Sequence, residues 1–451
     1  MKKILLTAGA IGLFLPSFNA KAEESTTSRI NRLEQEIQLL KRQQEVNDEK
    51  ASINAEKNAT VEFGKNGLAI TSPDKKYELG VHGVFQFDNR SFISENNQTT
   101  GRSESIVRKA RPIITLKAGE ASLYFMPDFA GTSSNANNTK IFDAYVDYKI
   151  HNAAKLRVGK FKPPVGLEEL QPDADVLFNE RGYAASLAPA RDIGIQLSGN
   201  ILPDMLEYQI GVFDGTTDLG NADGDADDKK DFAARVFAKP FRNCGIVSLQ
   251  GFGLGVGGSA GDREGATTNR QLPTYVSVGQ AAFFTYNSNA YADGVQTRIS
   301  PQAYWYSGNK GLLAEYAISN QNVTSGATHK ELQNKAWNIV ANYVLTGEDS
   351  NYSGGVKPAN AFNFANNAWG AFEVIGRFTY LEIDNDAFPV LASSSSSAKK
   401  ADTYGAGLNW YLNENLKVDT NYNYTSFDGG AAGGKDRPEE HVVQSRIQVR
   451  F

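Results

Sequence analysis

The residues His441-Val442-Val443-Gln444-Ser445-Arg446-Ile447-Gln448-Val449-Arg450-Phe451 constrain the fold more than any other stretch of the chain. Val443, Ile447, Val449 and Phe451 share one parity, interrupted only by Ser445, while Gln444, Arg446, Gln448 and Arg450 hold the other. Side chains alternate across a strand, so one face is apolar and the opposite face carries two arginines and two amides. A soluble sandwich would turn the polar face outward. A strand of this pattern that ends on an aromatic residue is expected of an outer-membrane β-barrel, with the apolar face against lipid.

Hydropathy agrees with that expectation. The mean of −0.41 excludes a bundle of membrane helices, and no apolar run after the N-terminus reaches the roughly 18 residues that a spanning helix needs. A barrel escapes this test because only alternate residues touch lipid. The chain has 42 glycines, 19 tyrosines and 25 phenylalanines but only three methionines, a composition that points away from helices. The lone Cys244 can form no internal disulfide.

Two segments precede the period-two region. Residues 1–22 read as a secretory signal: Lys2 and Lys3, an apolar run over 4–14, and the small-x-small site Ala20-Lys21-Ala22. Removing Lys2, Lys3 and Lys21 from 46 basic residues leaves 43 against 51 acidic ones, a formal charge of −8. That balance argues against nucleic acid as a partner, but it does not bear on a local basic patch inside a pore. Residues 23–60 form a separate module. Ile30, Leu33, Ile37 and Leu40 follow a/d spacing, continued by Gln44 and Asn47 and flanked by Arg32, Glu34, Glu36, Lys41, Arg42 and Glu45. The expectation is a short periplasmic coiled-coil helix that assists oligomerisation.

Residues 61–451 are expected to form the transmembrane barrel. From about residue 77 the period is two. Val81, Gly83, Phe85 and Phe87 alternate with His82, Val84, Gln86 and Asp88, and Leu416, Val418, Thr420, Tyr422 and Tyr424 oppose Lys417, Asp419, Asn421 and Asn423. Connections alternate in length. Short turns fall near 118–120, 151–154, 201–204, 239–244, 307–310 and 413–415, and long polar loops at 91–105, 130–139, 163–190, 215–229, 320–333 and 428–439. Seventeen candidate strands emerge. With both ends of the barrel at the periplasm the count must be even, so the piece over 274–286, inside a polar, glycine-rich excursion over 257–294, is demoted. Sixteen antiparallel strands result, with eighteen as the alternative. The connection 347–368 is long for a periplasmic turn.

Three stretches resemble the phosphate-selective porin O/P family. They are Val107-Arg108-Lys109-Ala110-Arg111-Pro112; Leu156-Arg157-Val158-Gly159-Lys160-Phe161-Lys162-Pro163-Pro164-Val165-Gly166-Leu167-Glu168, continuing through Phe178-Asn179-Glu180-Arg181-Gly182 to Arg191-Asp192-Ile193-Gly194; and Tyr343-Val344-Leu345-Thr346-Gly347-Glu348 together with Leu408-Asn409-Trp410-Tyr411-Leu412-Asn413. The resemblance extends from about residue 77 to Phe451. It implies a homotrimer of water-filled barrels in the outer membrane of a Gram-negative bacterium, passing small anionic solutes past inward-folded loops.

Parity supplies part of this independently. If Ile114 and Leu116 meet lipid, then Lys109, Arg111, Thr115 and Lys117 face the lumen. Cations gathered where water is confined create a field that suits phosphate oxygens, arginine through paired hydrogen bonds and lysine as a point charge. Lys160 and Lys162 close a strand just before Pro163-Pro164 takes the chain out of its ladder. In the family that loop folds into the pore, which would carry Lys162 to the constriction. Arg181 and Arg191 frame its far end, each beside an acid, Glu180 and Asp192, so that structural ion pairs are an alternative to anion binding. The candidate anion site is therefore Lys109, Arg111, Lys160, Lys162, Arg181 and Arg191.

The same loop holds Glu168, Glu169, Asp173, Asp175 and Glu180, which would favour cations if they faced the pore. Arg157, Arg235, Arg377, Arg446 and Arg450 fall on inner faces, as do Asp128, Asp143, Asp147 and Glu373, a set able to create a field across the lumen. Anion preference is expected. A cation-preferring or general porin, or a non-conducting barrel used as an adhesin or anchor, is the alternative.

No enzyme and no cofactor are expected. His82, His151, His329 and His441 are scattered, and no nucleophile–base spacing, zinc-ligand cluster or phosphate-binding glycine loop occurs. Asp218, Asp223, Asp225, Asp227 and Asp228 could offer oxygens to calcium, but the terminal glutamate of an EF-hand loop is missing, and a solvated acidic loop is expected.

Overall fold

A computed structural model describes residues 26–64, 67–93, 101–130, 139–202 and 204–451; the expected signal at 1–22 lies outside them. The chain divides into two compact units, Met1–Asn58 and Ala59–Phe451. The first contains helix α1 (Thr26–Lys57), whose 32 residues extend about 48 Å at 1.5 Å per residue. Ile30, Leu33, Ile37 and Leu40 form its apolar seam, and each is at least half exposed in the single chain.

The second unit begins with a hairpin, β1 (Thr60–Gly64) and β2 (Gly67–Thr71). Nine barrel strands follow: β3 (Tyr77–Ile93), β4 (Glu104–Ala118), β5 (Ala121–Asp128), β6 (Lys140–His151), β7 (Ala154–Phe161), β8 (Asp192–Leu202), β9 (Leu206–Phe213), β10 (Asp231–Ala238) and β11 (Phe252–Glu264). After a small separate hairpin, β12 (Thr274–Val276) and β13 (Ala282–Thr285), come β14 (Tyr291–Ser307), β15 (Lys310–Ser325), β16 (Thr328–Val344), β17 (Ala371–Glu382), β18 (Ala398–Tyr411), β19 (Leu416–Gly429) and β20 (Glu440–Arg450). Each barrel strand pairs antiparallel with its neighbours, and β20 pairs with β3 from His441↔Ile93 to Arg450↔Val84. Sixteen strands thereby close on themselves and leave no long free edge.

The partition of side chains is inverted relative to a soluble protein. Phe232, Val236, Leu254, Ile299, Leu408 and Ile447 are exposed on the outer face, while Gln86, Asp88, Arg298, Asn338, Asn423 and Gln444 are buried within. Water-soluble folds bury the first kind of residue and expose the second. A wall that faces hydrocarbon outside and polar groups inside explains both sets. The last strand follows its sequence parity, with Gln444, Arg446 and Gln448 buried inside and Arg446 making two hydrogen bonds of 2.7 Å to Asp88. Near the turn end, Phe372 stacks on Trp410 with centroids 5.7 Å apart, and Phe362 and Trp369 extend the cluster. Aromatic rings at this level form the belt expected at a membrane–water boundary.

Sequence and structure part at three connections. The long loop expected over 320–333 is a tight turn at Gly326, and β15 and β16 run through the expected loop. Asn320, Gln321 and Asn322 lie on that stretch of β15. Where both faces are polar, hydropathy cannot separate a strand that has risen above the bilayer from a loop. The glycine-rich excursion is also shorter than 257–294, because residues 257–264 belong to β11. A Cβ on Gly257 would collide with the Val165 carbonyl oxygen, so glycine there admits a loop against the wall. The turn expected at 239–244 continues to residue 251.

Candidate constriction site

Pro163 and Pro164 end the β7 ladder, and residues 162–191 cross the lumen before rejoining the wall at β8. Two single-turn helices, α2 (Leu167–Leu170) and α3 (Tyr183–Ser186), punctuate this loop. The far wall holds it through a row of polar side chains. Glu315 on β15 accepts from the backbone N–H groups of Leu167 and Glu168 at 2.7 and 3.1 Å. Asn338 on β16 donates to Glu168 at 2.8 Å, and Thr379 on β17 accepts from the Tyr183 N–H at 2.7 Å. Arg377 donates to the Glu180 carbonyl at 2.6 Å, and Gln448 on β20 to that of Ala174 at 2.9 Å. Leu167 and Phe178 pack into an apolar cluster with Leu313, Val340 and Ile375. These contacts fix the loop along β15–β17 and β20, Arg108 and Arg111 on β4 bond to its carboxylates, and an opening remains toward β5–β10.

Asp173 stands at the centre of that opening with five cations around it. Arg181 lies 2.6 Å away, Lys109 3.1 Å, Lys162 and Arg191 each 3.9 Å, and Arg111 is hydrogen-bonded to it. Glu169 is the second acid of the cluster, 3.5 Å from Arg181, 3.6 Å from Arg191 and 3.8 Å from Lys162. Arg111 and Arg191 are also tied to wall carboxylates, Asp128 at 2.6 Å and Asp143 at 3.5 Å. Both guanidinium groups pack on the ring of Phe142, at 3.8 and 4.7 Å from its centroid. An aromatic face between like charges offsets part of their repulsion.

Electrostatics in the loop follow from this crowding. Burial pushes the Lys162 ammonium down, reinforced by Arg181, to about 7. Burial pushes the Asp173 carboxyl up, but Lys109, Arg181, Arg111 and Lys162 outweigh it and hold the group well below the usual carboxylate range. Glu180 is likewise raised by burial and then held at about 2 by Arg108.

Five of the six sequence candidates therefore converge: Lys109, Arg111, Lys162, Arg181 and Arg191 all lie within 4 Å of Asp173. Lys160 does not join them, because its ammonium is bonded to Asp223 in the loop 214–230. Arg181 and Arg191 pair with loop and wall carboxylates other than their sequence neighbours Glu180 and Asp192. Glu180 instead takes Arg108 at 2.7 and 2.9 Å, and Asp192 accepts from the Gly215 N–H at 2.9 Å. Arg108 was hidden by parity. Gln86 pairs with Lys109 and Phe87 with Val107, so Arg108 is the extra residue of a bulge and turns inward beside Lys109. A bulge leaves no hydropathy signal.

The charges expected to oppose one another across the lumen are paired locally. Arg157 takes Asp147 at 2.7 Å and Arg450 takes Asp175 at 2.6 Å. The acidic loop is not simply solvated either. Asp218 is fully buried, 2.6 Å from Arg298 and 3.0 Å from the Tyr275 hydroxyl. Among the described residues no group of His, Cys, Asp and Glu side chains is placed to hold a metal ion.

Two cavities flank the constriction and share Arg111, Asp173 and Arg191 as lining. The one toward the loop end has a volume of about 260 Å³ and presents five cations against three carboxylates. The one toward the turn end, of about 470 Å³, presents six against three. Both cavities thus carry more cations than carboxylates, although the chain as a whole is acidic.

A closed sixteen-stranded barrel narrowed by an inward loop is the architecture of an outer-membrane channel. Residues 77–451 match the family described as phosphate-selective porin O and P, and the chain belongs to that family. Porin O of Pseudomonas aeruginosa is 24% identical over 390 residues, covering 79% of this chain and 85% of that protein. Among solved structures, the outer-membrane channel DcaP of Acinetobacter baumannii superposes with a TM-score of 0.55 at 11% identity, over 83% of this chain and 98% of that one. The anion-selective porin from Comamonas acidovorans gives 0.52 at 12% identity, over 83% and 100%. At such identities the structural likeness speaks for the fold alone. Family and fold are those of channel proteins.

Proposed function

We propose that this chain is an outer-membrane diffusion channel with a preference for small anions, phosphate among them, and that Lys109, Arg111, Lys162, Arg181 and Arg191 are its selectivity site. The observation that carries this reading is the convergence of five cations on one carboxylate. Asp173 is the partner that all five share, so an entering anion can take its place among them. At an effective dielectric of about 20, two unit charges 4 Å apart interact by roughly 4 kcal/mol, so several such contacts can replace a hydration shell. Because all five share the same counter-charge, release on the far side returns them to Asp173.

The remaining assignments rest on the sequence. Residues 1–22 would direct export and be removed, placing the barrel in the outer membrane of a Gram-negative cell. The exposed seam of α1 suits association of three copies, since Ile30, Leu33, Ile37 and Leu40 would be buried at a helix–helix interface. Reversal potentials across planar bilayers under a potassium chloride gradient test the selectivity. Chloride is expected to dominate, and phosphate to reduce its current. A potential set by potassium overturns the anion reading, and absence of any conductance favours an adhesin or anchor.

A further inference from the structure

The two cavities differ in chemistry. The one toward the turn end is lined by paired aromatic rings, which a bare phosphate or chloride does not require. Tyr124 and Tyr145, on adjacent strands, stack at 5.1 Å with their planes 8° apart. Tyr304 and Tyr352 stack at 5.0 Å with planes 20° apart. The second pair is built from two sources, since Tyr304 belongs to β14 while Tyr352 arrives on the long connection 345–370. That connection folds up into the barrel. The Tyr352 hydroxyl donates to the Leu167 carbonyl at 2.6 Å, and the Gly354 N–H donates to Asp175 at 2.8 Å. Its unusual length for a turn-end link is thereby accounted for: it props the constriction loop and contributes a ring to the vestibule.

Each stack has a guanidinium beside it. Arg157 lies 3.8 Å from the Tyr145 centroid, but it is committed to Asp147 through bonds of 2.7 and 2.8 Å. Arg235 packs on Phe237, which lies 5.0 Å from Tyr304. It donates through Nε to Gln302 at 2.9 Å, and its terminal nitrogen has Glu207 only at 4.0 Å. The hydroxyls of Tyr145 and Tyr304 have no hydrogen-bond partner among the described residues, and both tyrosines line the cavity. Half-buried ring faces, open hydroxyl donors and an arginine with spare donors together describe a receptor for one kind of solute.

We propose that this vestibule binds planar aromatic anions, of which an aryl carboxylate such as benzoate is the simplest. The ring lies against the Tyr124 or Tyr352 member of a stack, since Arg157 covers Tyr145 and Phe237 packs on Tyr304, and the carboxylate meets Arg235 and a tyrosine hydroxyl before passing to Arg111 and Arg191. The inference rests on the anion-channel reading above and adds a solute class to it.

The test uses the full chain reconstituted in planar bilayers carrying a chloride current, with benzoate, cyclohexanecarboxylate and acetate added in turn. Benzoate is expected to halve the current at about a fivefold lower concentration than its saturated analogue, the size of one favourable ring–ring contact. In the Tyr124→Leu/Tyr352→Leu double variant that ratio falls to about one, and in Tyr304→Phe it persists. Equal potency of benzoate and cyclohexanecarboxylate on the unmodified protein overturns the proposal, even if the leucine variant fails to insert. So does a ratio that survives in the leucine variant. In both cases chloride current remains and the channel reading stands; if the unmodified protein passes no chloride, both readings fall together.

Discussion

Glu315 accepts a hydrogen bond of 2.7 Å from the backbone N–H of Leu167, joining a wall strand to the loop that crosses the lumen. The same carboxylate accepts from the Glu168 N–H and from Ser300, so one buried side chain anchors the start of α2. Replacing it by alanine leaves two buried N–H groups without acceptors, at a cost of about 1–3 kcal/mol each. The loop should then leave the wall more readily. Glu315→Ala is expected to raise single-channel conductance and lower anion preference, with the barrel still resistant to denaturant. Unchanged conductance would show that the loop is held by its other contacts alone.

Asp173 is the shared counter-charge of the constriction, and its removal separates affinity from throughput. Asp173→Asn leaves Arg181, Arg191 and Lys162 facing Glu169 and removes the loop carboxylate of Lys109 and Arg111. Phosphate should bind more tightly, halving chloride current at a concentration several-fold lower. Maximal chloride conductance should fall, because release no longer has an internal partner to assist it. Titration of phosphate into single-channel recordings measures both quantities.

Lys160 and Lys162 lie two residues apart and differ in role. Lys162 donates to the carbonyls of Glu169 and Gln171 beneath the cluster, whereas Lys160 is bonded to Asp223. Lys162→Gln is expected to lower the chloride-over-potassium permeability ratio by several-fold, and Lys160→Gln to leave it within about a factor of 1.5, using roughly 1.4 kcal/mol per tenfold as the scale. Similar losses in the two variants would place Lys160 on the ion path.

Gly257 should be intolerant of a side chain for a reason visible only in three dimensions. The Val165 carbonyl occupies the space a Cβ would need. Gly257→Val is expected to displace the start of the constriction loop and to raise conductance, as Glu315→Ala does, by acting two residues before the Leu167 N–H that Glu315 holds. A crystal structure of the variant, or the conductance itself, checks this.

What the sequence disclosed follows from the physics of each layer. The wall was legible because lipid imposes period two on every strand, as Gln444, Arg446 and Gln448 illustrate in β20. The even-number rule correctly demoted the piece that holds β12 and β13, which form their own hairpin. The inward side of Lys109 and Arg111 is within reach of parity, and the family resemblance, rather than the Pro163-Pro164 break, implies an inward loop that carries Lys162 to them. Arg108 was out of reach because a bulge shifts the parity by one without altering composition. Lys160 lies apart from the cluster because its partner, Asp223, comes from a loop whose path depends on the whole barrel. The surroundings of Asp173 are out of reach for a similar reason. A carboxylate in the pore loop reads as a cation-favouring group until its five neighbours, two from β4 and three from the loop itself, are brought together.

The constriction should also respond to pH near neutrality. Lys162 sits among Arg181, Glu169, Arg191 and Asp173, and burial together with Arg181 lowers its ammonium to about 7. A lysine is cationic below its pKa, so the group is about nine-tenths charged at pH 6 and about one-tenth at pH 8. Anion preference is therefore expected to be higher at pH 6 and to decline as pH rises through 7. Glu168 complicates the assignment, because burial raises its carboxyl to about 7 and it gains negative charge over the same interval. The two are separable by position. Glu168 is turned to the far wall, bonded to Asn338 and the Gly182 N–H, whereas Lys162 lines the cavity toward the turn end. Lys162→Arg keeps its charge at both pH values and is expected to flatten the reversal-potential profile between pH 6 and 8. A profile that retains its full slope in that variant assigns the titration to Glu168 and removes Lys162 as the pH-sensitive group of the pore.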